Sequence, residues 1–450
     1  MIISYDEAVH RLRARPGLSV SARPLFLLPL LRAGCLSTVL GIEAADAGWA
    51  DEFGVTCHAL ETVTGVRAAA NSGSWLDELV HRLPEPERHA WRGRELGLLP
   101  YMNLRPHAQD ALARLGARLL LPAPDPVLPV LSDKIAQRAW FRSLGALTPH
   151  DTVVGELDHR ALRRRFGEVY VVQSPKGSSG RGTHLVTGEE DLRRLAPAER
   201  WLVSRYTEGT PINVHALVSG DGTVSVLRPS VQLTHVEGLG APFGAYSGCD
   251  FEAPAALPPL ALDRARDTVA RVGAELAALG YRGLFGADFV VAGPTPVLLE
   301  LNCRMQGSSW LLGELELAEQ VVPSALRHVL ERYGHTTRAE PRLDPVGGCQ
   351  LVLRHTGPTA RVAAAPTGGL HRLKDGGLHR CGAGFGLLEC GPDDCVLQQL
   401  PAAGTVVHSG APLARLVTRH ALTSADGATL NSQGRLLTDA LRAAFAFEPC

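Results

Sequence analysis

The sequence predicts a mixed α/β and α+β fold in three successive parts. Three observations carry this expectation. Apolar, strand-like runs alternate with helical stretches over residues 1–125. A long amphipathic helix and a two-strand segment follow between residues 258 and 304. From about residue 345 the chain turns β-rich and glycine-rich. At 450 residues several domains are expected, with boundaries read at 1–125, 126–340 and 341–450.

Taken in order, "SVSARPLFLLPLL" and "LSTVLGIEAA" supply the apolar runs of the first part and "HAQDALARLG" a helix. "ARLLLPAPDPVLPVL" reads as a strand followed by a proline-rich break. The helix "SDKIAQRAWFRSLG" follows, with Ser132 as its N-cap and Gly145 as its stop. The runs "EVYVVQSP", "GTHLVT", "RWLVSRYT", "PINVHALVS" and "GTVSVLRPSV" read as strands, and "SGDGT" between the last two is a hairpin turn. Residues 258–280 repeat apolar side chains at helical spacing and stop at Gly280. "GLFGADFVVAG" and "PVLLELNCR" are strands joined by "GPTP", residues 311–333 are helical, and "LLTDALRAAFAF" is a closing helix. "PAAGTVVHSGAPLARL" resembles a small barrel or sandwich hammerhead that completes a C-terminal lid. It has no lysine, so it carries no biotin or lipoyl group.

The composition, 45% hydrophobic and 20% charged, is that of a soluble globular protein. A net charge of −1 argues against a nucleic-acid partner held by a basic field. Nine irregularly spaced cysteines do not form a disulfide framework, and reduced thiols in the cytoplasm are expected. "PLFLLPLLRAGC" is broken by Pro29 and Arg32 and is too short to span a bilayer, so neither a secretory signal nor a membrane helix is expected. His379, Cys381, Cys390 and Cys395 are a conceivable zinc set, but CxxC pairs are missing and ordinary thiols are the preferred reading. Lysine occurs only at 134, 176 and 374 among abundant arginines, which makes each lysine informative and each arginine less so.

Three segments carry chemistry. In "LLELNCRMQGSS", residues 298–309, strand alternation puts Glu300, Asn302 and Arg304 on one face. The loop back to "GADFVV" is short, so an antiparallel pair brings Asp288 close to opposite Glu300. Two carboxylates and an amide oxygen form a hard ligand set suited to Mg²⁺, which takes its other ligands from water and phosphates. A solvated sheet face with incidental charges is the competing reading. In "VVQSPKGSSGRGTHLV", residues 171–186, glycines let backbone N–H groups approach an anion, Ser178 and Ser179 add hydroxyls, and Lys176 and Arg181 add charge. The segment lacks the ending of a Walker loop and the helix of a dinucleotide fingerprint, and a plain hairpin tip competes with it. Lys134, near the start of its helix, competes with an ordinary exposed lysine.

In this order the parts resemble the ATP-grasp superfamily over roughly residues 100–330, and Glu300, Asn302 and Arg304 match its most specific motif, Glu-x-Asn-x-Arg. Within it, the wording of the two quoted segments is most similar to carboxylate–amine ligases of specialised metabolism, including peptide-forming ones. The resemblance implies an ATP-grasp fold with an N-terminal α/β pre-grasp domain and a β-rich C-terminal lid domain. It implies ATP and one or two Mg²⁺ ions, with Mn²⁺ as an alternative, and Asp288, Glu300 and Asn302 as metal ligands. Lys134, Gln173, Lys176, Ser178, Ser179, Gly180, Arg181 and Tyr206 would bind the nucleotide. Arg304, Arg228 and Lys176 would act in catalysis, Arg304 through the bidentate grip that arginine offers a carboxylate or phosphoryl group. Gln173 stands where the family usually has a lysine, so either Gln173 or Lys176 takes that role, and Ser204 stands where an acid usually binds adenine or ribose. Ser308 and Ser309 would line the floor of an acyl pocket.

The implied reaction activates a carboxylate as an acyl phosphate and joins it to an amine, under a loop, 174–182, that closes over the site. The partners are then a small-molecule carboxylate and amine, without nucleic acid or membrane, and a homodimer is allowed. A carboxylase-type enzyme or a phosphotransferase on the same fold is the first alternative, and a non-catalytic nucleotide-binding protein the second.

Overall fold

After a helix, Tyr5–Arg13, the first part of the chain builds a parallel sheet. The computed structural model describes residues 4–450 except 15–16, 45–47, 69–72, 100–105, 121, 123–124, 178–179, 197, 237 and 339–345. The first sheet runs, in spatial order, Thr56–Ala59, Thr38–Gly41, Gly17–Ser21, Glu95–Leu98 and Arg118–Leu120, with every neighbouring pair parallel. Its central strands Gly17–Ser21 and Thr38–Gly41 are buried throughout, as a parallel sheet covered on both faces demands. The apolar run after Gly17–Ser21 turns into a short helical stretch, Pro24–Leu27 and Leu28–Arg32. It packs Phe26 against Trp310, ring centroids 6.5 Å apart. Arg32 then reaches two acids from distant parts of the chain, with Nε 2.6 Å from Glu314 and Nη1 2.6 Å from Glu389.

A second, antiparallel sheet of Asp151–Val154, Trp201–Arg205, Tyr170–Gln173 and Thr183–Val186 carries the glycine-rich loop. The loop joins its last two strands, with Gln173 paired to Thr183 at the base.

The largest sheet has ten strands, drawn from residues 210 to 418. In spatial order these are Val297–Asn302, Gly283–Val291, Thr210–Val218, Val224–Leu233, Gly248–Asp250, Cys349–Arg354, Pro412–Thr418, Asp394–Gln398, Gly369–Lys374 and Gly377–Gly382. The helix Pro259–Ala278 lays Ala261, Ala265, Val269, Val272 and Leu276 on this sheet, the i, i+3, i+4 stripe that its sequence announces. A fourth sheet joins Ala446–Pro449, Ala360–Ala364, Val406–Val407 and Val66–Arg67, so that a strand from the first part pairs with one from the last.

Several expectations change at this level. The helix starting near Lys134 is capped by Asp133, whose Oδ1 accepts from the N–H groups of Ile135 (2.8 Å) and Ala136 (3.2 Å), and not by Ser132. Ser132 instead follows a short helix, Leu128–Leu131, inside the proline-rich segment. The stretch 311–333 is two helices, Ser309–Ala318 and Ser324–Arg332, because Pro323 disfavours helical backbone in the residue before it and sits just ahead of the second helix. The closing helix is Ser432–Ala443, and the "AFEP" that follows is a strand. The 401–416 segment is no separate hammerhead: Val406–Val407 and Pro412–Thr418 belong to different sheets. Among the described residues, no helix is long and apolar enough to cross a membrane.

Candidate active site

The two strands that end at residues 291 and 302 pair antiparallel, with Asp288 directly opposite Glu300 and Gly286 opposite Asn302. The register shifts just after Asp288, between Asp288 and Phe289. Asn213, on the neighbouring strand and directly across from Asp288, donates its Nδ2 to Asp288 Oδ1 at 2.6 Å. Asn302 Nδ2 donates to the other carboxylate oxygen at 3.1 Å. Lys134, first residue of its helix and buried, places Nζ 2.5 Å from Glu300 Oε2. The strand ends at Asn302, so Arg304 lies in the bend beyond it, where its Nη2 donates to Asn302 Oδ1 at 2.9 Å.

Electrostatics in this cluster are strained. Burial raises the Asp288 pKa to about 7, the charge of Glu300 adds to the rise, and Asn213, Lys134 and Arg304 work against it. Two carboxylates on directly opposite strand positions in a half-buried, oxygen-rich setting are the arrangement that a divalent cation relieves, and the available donors are the oxygens that Mg²⁺ prefers. The donor set therefore fits the ion. It comprises two carboxylates and amide oxygens, and among the described residues no group of three or more His, Cys, Asp or Glu side chains is placed to hold a metal. The conceivable zinc set is not assembled among the described residues: His379, Cys381, Cys390 and Cys395 do not come together as a group that could hold a metal.

These residues line a cavity of about 630 Å³ walled by all parts of the chain. Lys134, Gln173, Gly180, Arg181, Tyr206, Asp288, Glu300, Asn302 and Arg304 are all in its wall, as is Ser204. Gln173 Nε2 donates to Thr183 Oγ1 at 3.1 Å, tying the two strands at the base of the loop. Gly180 adopts a φ of +79°, and a Cβ there would collide with the backbone of Gly244. The loop is therefore seated against the 243–245 segment, and only glycine permits that approach. Tyr206 meets Phe243 edge-on, with centroids 6.1 Å apart.

Four other expected positions fall elsewhere. Lys176 is exposed in the turn and outside the cavity wall, its carbonyl held by Ser174 Oγ at 2.9 Å. Arg228 is also outside the wall: it is buried, forms an ion pair with Glu319 and donates to Val346 O at 2.6 Å. An arginine on a strand has two faces to choose from, and here the buried acid takes it. Ser308 and Ser309 do not floor the cavity but turn to the buried His215, whose Nε2 lies 3.4 Å and 3.0 Å from their hydroxyls. Burial drives the His215 pKa down to about 3, so the ring is neutral. Ser178 and Ser179 lie outside the described residues.

The wall also contains residues that the sequence did not single out. Arg23 and Phe26 come from the first part, Arg354 and Arg415 from the last. Arginine is too frequent in this chain to stand out. Asn213 was the readable omission, an amide inside the apolar run "PINVHALV".

Comparison with known proteins places these features. Residues 131–308 match the sequence model of the ATP-grasp domain. An L-propargylglycine–L-glutamate ligase of Streptantibioticus cattleyicolor is 35% identical over 123 residues, covering 27% of this chain and 23% of the relative. A [butirosin acyl-carrier protein]–L-glutamate ligase of Niallia circulans is 28% identical over 153 residues, covering 32% of this chain and 34% of the relative. The matches thus span only about a quarter to a third of the length of these curated relatives. Among solved structures, biotin carboxylase from Campylobacter jejuni superposes with a TM-score of 0.60 at 12% identity, over 96% of this chain and 92% of that one. Phosphoribosylamine–glycine ligase from Thermotoga maritima gives 0.54 at 13% identity, over 96% and 97%. At such identities the structural likeness speaks for the fold. The chain carries an ATP-grasp domain at residues 131–308 and has the ATP-grasp fold, with a parallel α/β domain before it and antiparallel, β-rich sheets after it.

Proposed function

We propose that the protein is an ATP-dependent ligase that activates a carboxylate as an acyl phosphate and joins it to an amine. The observation that carries this reading is the Asp288–Glu300 pair, flanked by Lys134, Asn302 and Arg304, in the wall of a cavity to which Gly180 and Arg181 of the glycine-rich segment also contribute. The two glutamate-ligase relatives support an amino-acid substrate in natural-product chemistry.

Phosphoryl transfer asks a protein for positioning and charge compensation more than for covalent help. Asp288, Glu300 and Asn302 would hold Mg²⁺, which supplies charge neutralisation on the ATP phosphates. Lys134 and Arg181 add positive charge from the helix and the loop. The Arg304 guanidinium orients the incoming carboxylate. In the first step a carboxylate oxygen attacks the γ-phosphorus and the bond to the β,γ-bridging oxygen breaks, giving ADP and an acyl phosphate. In the second an amine attacks the acyl carbon, loses a proton, and expels phosphate. The loop at 174–182 keeps water from the acyl phosphate in between.

The test offers purified protein ATP, Mg²⁺ and pools of amino acids and small acids, and follows ADP and phosphate. Release of both that needs an acid and an amine together is the expected result. ADP without phosphate would replace the ligase by a phosphotransferase, and bicarbonate dependence by a carboxylase. Tight ATP binding without release from any pool would leave a non-catalytic binder. In Glu300→Gln, turnover should fall roughly 100-fold or more, the scale seen when one electrostatic contact to a transition state is removed.

A further inference from the structure

A second charged cluster lines the same cavity, and the mechanism above leaves it without a task. Arg354 ends the strand Cys349–Arg354, and Arg415 stands on the adjacent strand Pro412–Thr418. Val352, also in the cavity wall, is the direct cross-strand partner of Arg415, so both arginines belong to one face of the sheet. Arg23 joins them from the first part of the chain. The Phe26 ring lies 4.5 Å from the Arg415 guanidinium carbon and 5.6 Å from that of Arg23.

The cluster is short of negative charge. Arg23 Nε donates to Glu43 Oε1 at 3.1 Å, and Glu43 is the acid that counters both Arg354 and Arg415. Among the described residues, the hydrogen-bond partners of Arg354 are carbonyls, Gly410 O at 2.9 Å and Tyr246 O at 3.4 Å. Arg415 is 2% exposed, and its Nε donates to the neutral amide oxygen of Gln399. Its Nη1 and the Nε of Arg354 are buried and have no hydrogen-bond partner among the described residues. Burial lowers the pKa of Arg415, and the charges of Arg23 and Arg354 lower it further. Asp426, the remaining acid of the cavity wall outside the metal cluster, is bonded instead to Ser424 Oγ (2.5 Å) and the N–H of Ala428 (3.0 Å). A buried guanidinium with an unused donor is costly unless an anion completes it. Planar N–H pairs are the donors that carboxylates and phosphates accept best.

The cluster is also set apart from the metal cluster. Asp288 lies on the second strand of the ten-stranded sheet and Arg354 on the sixth. Four strand spacings amount to roughly 19 Å between backbones, less the reach of the side chains toward each other.

We propose that Arg354 and Arg415, with Arg23 beside them, bind an oxyanionic group on one of the two substrates, separate from the carboxylate being activated. Resting on the ligase reading, this makes that substrate a small molecule with a terminal carboxylate or phosphate beyond its reacting group.

The test measures binding to the full-length protein by calorimetry in the presence of Mg²⁺ and a non-hydrolysable ATP analogue. The dicarboxylate probes are glutarate and L-glutamate, the phosphate probe is O-phosphoserine, and butyrate and L-norvaline are the counterparts with a single anionic group. At least one doubly anionic probe should bind tenfold or more tightly than its counterpart. Whichever class does so identifies the source of the oxyanion. Arg354→Gln and Arg415→Lys should each lose most of that difference, while the affinity for the ATP analogue stays within twofold. Equal binding of doubly and singly anionic probes to the unaltered protein overturns the proposal. So does an undiminished preference in Arg354→Gln. Those two measurements decide the matter even if Arg415→Lys fails to fold. Selective anion binding together with an absence of ATP turnover would remove the ligase reading and leave the anion site standing.

Discussion

Lys134 shows how much one side chain rests on its surroundings. It reaches Glu300 because Asp133 caps the helix and fixes where the first turn begins. Asp133→Ala should therefore cost about 1 kcal/mol in a urea melt, the usual value of an N-cap. It should also weaken ATP affinity through the displaced lysine, which titration with a fluorescent ATP analogue would show. Lys134 was legible in the sequence because lysine is scarce, and Glu300 and Asn302 because alternate positions on a strand share a face; Arg304 was expected on that face too, but it follows the end of the strand and reaches Asn302 from the bend. Arg354 and Arg415 were not legible: far beyond the motif and far from each other in sequence, they become neighbours only through strand pairing, and in an arginine-rich chain their type carries no signal. Lys176 and Arg228, by contrast, stand outside the cavity wall. Their type suggested phosphate, but which way a turn or strand side chain points is settled by what packs around it.

At the level of elements, the hairpin bearing Asp288 and Glu300 was readable from its short loop and period-two pattern, and the structure pairs the two residues directly. The helix Ser309–Ala318 was found but run together with its successor, since its apolar character continues past the break. This helix supports the cavity from behind. Trp310 is fully buried, stacks on Phe26 and donates its Nε1 to Gln350 Oε1 at 2.5 Å. Trp310→Ala should destabilise the protein by roughly 3–5 kcal/mol, the range for deleting a large buried aromatic. Equilibrium denaturation checks the magnitude. A loss well under 1 kcal/mol would mean that the site relaxes around the gap and that Phe26 is held in some other way.

For the whole molecule, two buried histidines set an acid limit. His328 Nδ1 accepts from the N–H of Leu284 at 2.9 Å, which a protonated nitrogen cannot do. Burial lowers the pKa of both His328 and His215 to about 3. An unfolded chain takes up these protons below its ordinary pKa of about 6.5, and the folded one does not. Stability is thus fully present above pH 6.5 and falls below it, by up to about 1.4 kcal/mol per pH unit for each histidine. Denaturant midpoints at pH 7, 6 and 5 should decline accordingly, and His328→Gln should flatten the slope. Why the sheets join the three parts so thoroughly was hidden from sequence reading, because strand patterns fix which face is buried but not which distant strand is the neighbour. The bridge between Val66–Arg67 and Val406–Val407 is such a case, and the buried Arg67 depends on it, donating to Gln399 O across 332 positions of chain. During synthesis at about 5–20 residues per second, that guanidinium waits on the order of half a minute for its carbonyl to leave the ribosome. The nascent protein must carry an unfinished seam for that interval, one that closes only when Val406–Val407 arrives to pair with Val66–Arg67.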